Sequence, residues 1–448
     1  MAADSIRVKQ LPTFPETSGW YALLGQQPPS SPLDQQIDAD VVIIGAGFTG
    51  LSAARRLHQL DAGLHTVVLE AGSLAEGPAG RNSGFMIDLP HDLASDDYTG
   101  QNGVDDALQT RMNRIAIEFA REIAECCELA PDVFDPCGKI NGAATRKGDK
   151  HNREYALHLK RMGEPFELLD AEAMRRITGT DYYLSGLFTP GTVMIQPAAY
   201  IQALASSLSP ANRIFQQSPA VSYAKSGNRW HITTPGGSVS ADKVILAVNG
   251  QVESFGFFKR RLMHVHTYAS MTHPMTAEQA ARLGGNPVWS ITPADPMGVT
   301  VRRINSAEGS RLLVRSRFTY DPSMQVSKAR ISNISRLHDS QFRARFPMLK
   351  DLSSQYRWAG HLCLSSNGVS AFGEVDVNIF AACCQNGLGV TRGTLSGIAA
   401  AELALGQPSF LTDNITKQPQ PRKLPPEPLA WLGANAVMRY KELRAGRE

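Results

Sequence analysis

Residues 40–50 read Asp40-Val41-Val42-Ile43-Ile44-Gly45-Ala46-Gly47-Phe48-Thr49-Gly50, and residues 66–70 read Thr66-Val67-Val68-Leu69-Glu70. Positions 41–44 form a short, β-branched apolar run of the kind that a parallel sheet buries on both faces. Three glycines follow at once, so the stretch reads as strand, tight turn, helix. Gly45 permits the turn, Gly47 lets the backbone approach a pyrophosphate, and Gly50 lets the helix pack on the strand. The unpaired N–H groups and positive dipole end of that helix favour an anion, and phosphates there need no basic side chain. Leu51, Ala54 and Leu57 share one helix face, and Gly63 is expected to end the helix. The second strand finishes in Glu70, an acid that can accept hydrogen bonds from adenosine ribose hydroxyls and would repel a 2′-phosphate. A glycine fingerprint alone is a weak signal. Here a strand precedes it, a helix follows, and an acidic strand end comes about twenty residues on, which together indicate a dinucleotide site.

Outward from this core, 448 residues suffice for two or three domains. A net charge of +3 from 45 basic and 42 acidic residues, with no block of like charge, leaves no electrostatic footprint for nucleic acid. Residues 1–20 carry acids and prolines where a secretory signal has an apolar run, and no stretch reaches the length of a membrane span, so a cytoplasmic protein is expected. Among the six cysteines, Cys126/Cys127 and Cys383/Cys384 are sequence neighbours, a spacing that suits neither a disulfide framework nor a metal. Reduced, mostly buried thiols and no metal site are expected.

The pattern along the chain is α/β, with strands and helices of two domains interleaved. Residues 1–36, with Trp20, Tyr21 and the prolines Pro28, Pro29 and Pro32, read as an extended arm over the nucleotide domain. Residues 37–100, 187–255 and 355–412 are assigned to that domain, residues 101–186 and 256–354 to a substrate domain, and residues 413–448 to a tail with one short amphipathic helix at about 430–443. The loop Gly77-Pro78-Ala79-Gly80-Arg81-Asn82-Ser83-Gly84 is too rich in turn residues to be an element, and its free N–H groups would run along the cofactor toward its reactive end. Helical periodicity covers residues 105–129 and 150–163, and Asp170 is placed to cap a third helix at 171–177. Short strands are expected at 220–223, 230–233 and 238–240, and an apolar strand at 243–248 runs into Asn249-Gly250. Residues 265–271, 299–303 and 311–318 read as antiparallel strands of a second sheet, followed by a helix at 327–346 and strands at 358–364 and 378–384. The last strand leads into Gly387-Leu388-Gly389-Val390-Thr391 and an Ala-rich helix, a second dipole end suited to an anion.

This set of motifs, with Gly80 to Gly84, the strand ending in Asn249-Gly250, Trp358-Ala359-Gly360 and residues 385–391, resembles the D-amino-acid oxidase superfamily of FAD enzymes over most of residues 15–410. Within it, the Gly-Arg-Asn-x-Gly motif and the Trp20-Tyr21 pair are most similar to the γ-glutamylputrescine oxidase branch and related bacterial amine oxidases; L-pipecolate oxidases are similar too. The resemblance implies a Rossmann-type FAD domain built from discontinuous segments, beside an α+β substrate domain with a mixed or antiparallel sheet. By motif match Gly45, Ala46, Gly47, Phe48, Thr49, Gly50, Glu70 and Ala71 would hold the ADP half. Gly80, Arg81, Asn82, Ser83 and Gly84 would hold the flavin, and Val221 would meet the adenine through its backbone. Asn249, Gly250, Gly387, Leu388, Gly389, Val390 and Thr391 complete the implied cofactor set.

Two departures from the pattern matter. Glycine and D-amino-acid oxidases carry an arginine two places after the glycine of the Trp-Ala-Gly motif, where it clamps the substrate carboxylate, and here Leu362 stands there. Sarcosine oxidases attach FAD to a cysteine in this region, but Cys363 is out of register with it, so non-covalent FAD is expected. The implied reaction oxidises a C–N bond of a small-molecule amine, with hydride passing to flavin N5, hydrolysis of the imine, and O2 or another acceptor reoxidising the flavin. His91 and His361 are the candidates to assist deprotonation of the amine, with Tyr268 and Arg317 behind them. A flavoprotein subunit with structural FAD and a NAD-dependent dehydrogenase are the competing readings.

Overall fold

Two large sheets divide the work of the chain. The computed structural model describes residues 5–27, 29–90 and 106–448. In the first sheet the apolar runs pair in parallel, Val41 to Ile44 lying beside Thr66 to Leu69 on one side and Lys243 to Leu246 on the other. Asn212–Phe215 and Ile379–Cys383 extend this parallel core outward, and an antiparallel wing of Ser222–Ser226 and Arg229–Thr233 grows from the front half of Ser238–Leu246. The stretches read as separate strands at 238–240 and 243–248 are thus one nine-residue strand serving three neighbours. The N-terminal segment adds the edge strand Ile6–Arg7 to the wing and buries Trp20 in the helix Gly19–Ala22.

Helices Phe48–Leu60 and Thr391–Ala404 lie against each other on this sheet. Glycine sets their distance: a Cβ on Gly397 would stand 2.2 Å from the Thr49 carbonyl oxygen. The first helix stops at Leu60 with Asp61 as its C-cap, and Gly63 sits in the following turn.

The second sheet has eight strands, ordered Ser354–Leu364, Met263–Thr272, Gly309–Tyr320, Thr300–Ser306, Trp289–Pro293, Lys139–Ala143, Ser185–Thr189 and Glu167–Asp170. It is mixed, since Trp289–Pro293 and Lys139–Ala143 run parallel while their neighbours are antiparallel. This corrects two of the expected boundaries. Ser354–Leu364 and Ser185–Thr189 belong to the second sheet, because they pair along their lengths with Met263–Thr272 and Lys139–Ala143. Helix Asp106–Cys126, assigned to the substrate half, packs on Thr391–Ala404. An apolar strand advertises burial, not the sheet that buries it.

Asp170 caps its helix as expected, accepting a hydrogen bond from Ala173 N at 2.8 Å. The tail differs from its reading. Leu429–Ala445 is a seventeen-residue helix whose large side chains Leu432, Tyr440 and Leu443 are exposed while Ala430 turns inward. All six cysteines are free, and Cys363, Cys383 and Cys384 are buried. Among the described residues no helix is long and apolar enough to cross a membrane.

Candidate functional site

One cavity meets both glycine-rich turns. Its walls include Gly45 to Thr49, Glu70 and Ala71, Ala79 with Arg81 to Ser83, Asn249, and Gly387 with Gly389. From the second sheet come Tyr268, Gly360, His361 and Leu362. Residues expected at opposite ends of a dinucleotide therefore border the same space.

The first turn is built by exclusion. Gly45 has φ +103°, and a Cβ there would lie 2.7 Å from the Ala247 carbonyl oxygen, while one on Gly50 would lie 1.8 Å from Gly45 O. Gly47 caps the helix with no side chain, so the first-turn N–H groups are left for a ligand. Glu70 braces the turn by accepting from Ala46 N at 2.8 Å and from Gly72 N at 3.1 Å. Burial nevertheless lifts its carboxyl above the ordinary carboxylate range.

The second loop is held from below. Arg81 donates to the carbonyls of Glu76 (2.7 Å), Glu16 (2.7 Å) and Ala359 (3.2 Å), and burial lowers its pKa to about 10. Trp20 and Trp358 donate their indole N–H groups to the carbonyls of Asn82 and Arg81, and Arg302 donates to the Ser83 carbonyl at 2.7 Å. The loop's carbonyls thus point into the protein. The N–H groups of Asn82 and Ser83 make no hydrogen bond among the described residues. Gly80 and Gly84 serve packing, since Cβ atoms there would meet Ala75 O at 1.8 Å and Ile195 O at 2.3 Å.

At the late glycine-rich turn Gln385, Gly387 and Gly389 border the cavity. Leu388 packs with Phe85, Ile87 and Met194, Val390 joins the main core, and Thr391 donates its hydroxyl to Ile87 O at 3.2 Å. Val390 caps the late helix without a side-chain bond, but Arg392 N and Gly393 N already bond the carbonyls of Leu388 at 2.9 Å and Gly389 at 3.1 Å, while the N–H groups of Gly387 and Gly389 make no hydrogen bond among the described residues. An uncapped helix start at each turn, an acid at the strand end and a row of free N–H groups between them fit a dinucleotide carrying a polar ring.

Several expected residues stand elsewhere. Both backbone groups of Val221 are spent in the sheet, its N–H on Thr233 O at 2.8 Å and its carbonyl on Val8 N at 2.9 Å, and Pro219 and Ala220 line the cavity in its place. Arg317 pairs with Glu442 at 2.6 Å, away from the cavity, whereas Arg315 on the same strand lines it. His91 lies outside the described residues. Asn249 lines the cavity, with its side chain accepting from Cys384 N at 3.1 Å, and Gly250 leaves room for His361 and His264, whose rings a Cβ would meet at 2.8 and 2.9 Å.

His361 belongs to a cluster. Its ring centroid lies 5.4 Å from that of His264 and 5.3 Å from that of His266, and His264 Nε2 bonds Glu253 at 2.8 Å. The Nε2 of His361 and the Nδ1 of His266 have no partner among the described residues. Burial holds His361 well below the ordinary histidine range and His266 at about 4, so both rings are neutral at pH 7. Tyr268 shares a 2.7 Å hydrogen bond with Thr319, and burial raises its pKa. The signal for the cluster was present in the sequence: alternate histidines at 264 and 266 share one strand face, and the register sets His361 opposite His266.

A family model described as FAD dependent oxidoreductase (DAO) matches residues 40–403. The chain is 28% identical over 404 residues to gamma-glutamylputrescine oxidoreductase of Escherichia coli, covering 87% of this chain and 89% of that one. It is 26% identical over 388 residues to the probable oxidoreductase OrdL of Haemophilus influenzae, covering 85% and 86%. Among solved structures, glycine oxidase from Geobacillus kaustophilus superposes with a TM-score of 0.67 at 17% identity, over 83% of this chain and 96% of that one. L-proline dehydrogenase from P. horikoshii does so with a TM-score of 0.63 at 17% identity, over 84% and 95%.

Proposed function

The chain belongs to the DAO family of FAD dependent oxidoreductases, and from that membership we propose that it oxidises the C–N bond of an amine or N-substituted amino acid to an imine, which water hydrolyses to a carbonyl compound and an amine. The observation that carries this reading is the single cavity bordered by both nucleotide turns and by His361, Leu362 and Tyr268 of the second sheet. Family membership replaces the NAD reading with FAD. FAD bound in this cavity supplies the acceptor for the hydride lost from the carbon beside nitrogen.

The chain's own residues do the rest. Glu70 and the free N–H groups of residues 47–49 would hold the ADP half, and Asn82, Ser83, Gly387 and Gly389 would present N–H groups to the ring end. The thiol of Cys363 is held protonated, its pKa raised well above the ordinary range by burial and by Cys384, which makes it a poor nucleophile and supports non-covalent FAD. Leu362 gives the substrate wall no cation where the amino-acid oxidases resembled here have their clamp, which favours amines that do not depend on a carboxylate at that point. His361 and His266 border the cavity as neutral rings that can accept a hydrogen bond, and burial makes both weak bases, so the substrate amine is expected to react after losing its proton to solvent. Residues 11–15 of the arm also line the cavity.

Anaerobic mixing with amines, polyamine derivatives and N-alkyl amino acids tests the proposal. One of these classes is expected to bleach the yellow flavin absorption. Bleaching by a chemical reductant but by none of the three classes would refute it.

A further inference from the structure

A second cavity, of about 440 Å³, lies under the C-terminal helix Leu429–Ala445. Its helix wall is Ala430, Gly433, Ala434, Val437, Met438 and Lys441, a stripe with the spacing of one α-helical face. Its sheet wall is Met263, Phe318, Tyr320 and Leu364. The cofactor cavity has Thr267, Phe318, Gly360 and Leu362 on its own sheet wall. Met263 pairs with Leu364, Val265 with Leu362 and Thr267 with Gly360, so period two puts all of these positions on one face of the sheet. The two cavities are successive stretches of one surface. Phe318 borders both, and Leu362 joins Phe318, Met263, Leu364, Ala434 and Met438 in one apolar cluster between them.

The helix is held at this distance. Glu442 accepts from Phe318 N at 2.9 Å and from Arg317 at 2.6 Å, Asn435 bonds both backbone groups of Tyr320 at 3.1 Å, and Glu427 accepts from the Tyr320 hydroxyl at 2.6 Å. Small residues such as Ala430, Gly433 and Ala434 at the head of the stripe ordinarily let a helix settle tight against its neighbour. Here the polar ties fix its height, and the missing side-chain volume becomes a chamber with mostly apolar walls. The helix also lies beyond the stretch that the family model matches, which ends at residue 403.

We propose that this chamber is the subsite for the chain of the substrate, and that the enzyme takes amines carrying an extended apolar chain, with the reacting C–N bond on the Leu362 side and the chain running past Phe318 beneath the C-terminal helix. The proposal rests on the amine-oxidation reading above. A chain threading an apolar chamber gains about fourfold in affinity per buried methylene.

Straight-chain N-methylalkylamines of increasing length, assayed on the FAD-loaded enzyme, test it. kcat/KM is expected to climb about fourfold per methylene over the first several carbons. Ala434→Trp and the half-exposed Val437→Trp should flatten that climb while leaving the shortest amine unchanged. A flat length dependence in the parent enzyme, or an unaltered climb in both folded, FAD-loaded variants, would overturn the inference. If none of the amines bleaches the flavin, the function proposed above falls and the chamber is read separately by calorimetric titration with n-alkanols. Their affinity should still rise with length and drop in both variants, and length-independent affinity would overturn the subsite.

Discussion

Replacing Arg81 by Met asks whether this arginine touches the cofactor or holds up the loop that does. The residue is 5% exposed and donates to three carbonyls from three different segments: Glu76 at 2.7 Å, Glu16 at 2.7 Å and Ala359 at 3.2 Å. Met fills comparable space and donates nothing, so three charge-assisted hydrogen bonds, worth about 1.5–3 kcal/mol each, are lost. Part of that loss is returned. Burial depresses the guanidinium pKa from its ordinary range to about 10, a penalty of about 3 kcal/mol at roughly 1.4 kcal/mol per pH unit, and Arg81→Met removes it. The net expectation is a destabilisation of about 2–5 kcal/mol. Urea unfolding followed by tryptophan fluorescence, with and without added FAD, measures it. Arg81→Lys should recover little, because one ammonium cannot reach carbonyls that a planar fork spans. Full stability with FAD affinity alone lost would refute the reasoning and put the guanidinium on the cofactor.

Acid precipitation of the yellow protein is expected to release all of the flavin, and Cys363→Ser should retain FAD; flavin left in the pellet would contradict the non-covalent assignment. Glu442→Ala removes a carboxylate that is 10% exposed and takes bonds from Phe318 N and Arg317, and about 1–3 kcal/mol of stability should go with it, together with faster proteolysis between Arg422 and the helix. His266 and His338 are both held at about 4, against an ordinary 6.5, by burial. The unfolded chain binds these protons first on acidification, so their contribution is complete above about pH 6.5 and is lost as pH falls toward 4. Each histidine accounts for up to about 3 kcal/mol, and the pH dependence of unfolding should steepen accordingly between these limits.

The nucleotide half was legible because its chemistry is local. A β-branched run, three spaced glycines and an acid at the next strand end each demand their own conformation, and Gly45 and Gly50 indeed sit where no side chain fits. Sheet membership was not local. Trp358 to Leu364 looks the same as a strand of either sheet, and only the register with Met263–Thr272 decides. The role of Arg81 was hidden for a related reason: a motif locates a residue near a ligand, but the three carbonyls that occupy its guanidinium come from positions 16, 76 and 359. The placement of Val221 was not legible either, since both of its backbone groups are taken by the ladder while Ala220 lines the cavity. The C-terminal helix misled most, because its apolar residues outnumber its polar ones on the face that points away from the protein.

Whether an amine gives up electrons in the cavity that both glycine turns share decides the function of this chain. Rapid anaerobic mixing of the purified yellow protein with the amine panel measures this directly. Loss of flavin colour is expected at a rate that saturates with amine concentration, with a carbonyl compound formed in proportion. Flavin that stays oxidised with every amine, in a protein whose FAD is otherwise reducible, would contradict it.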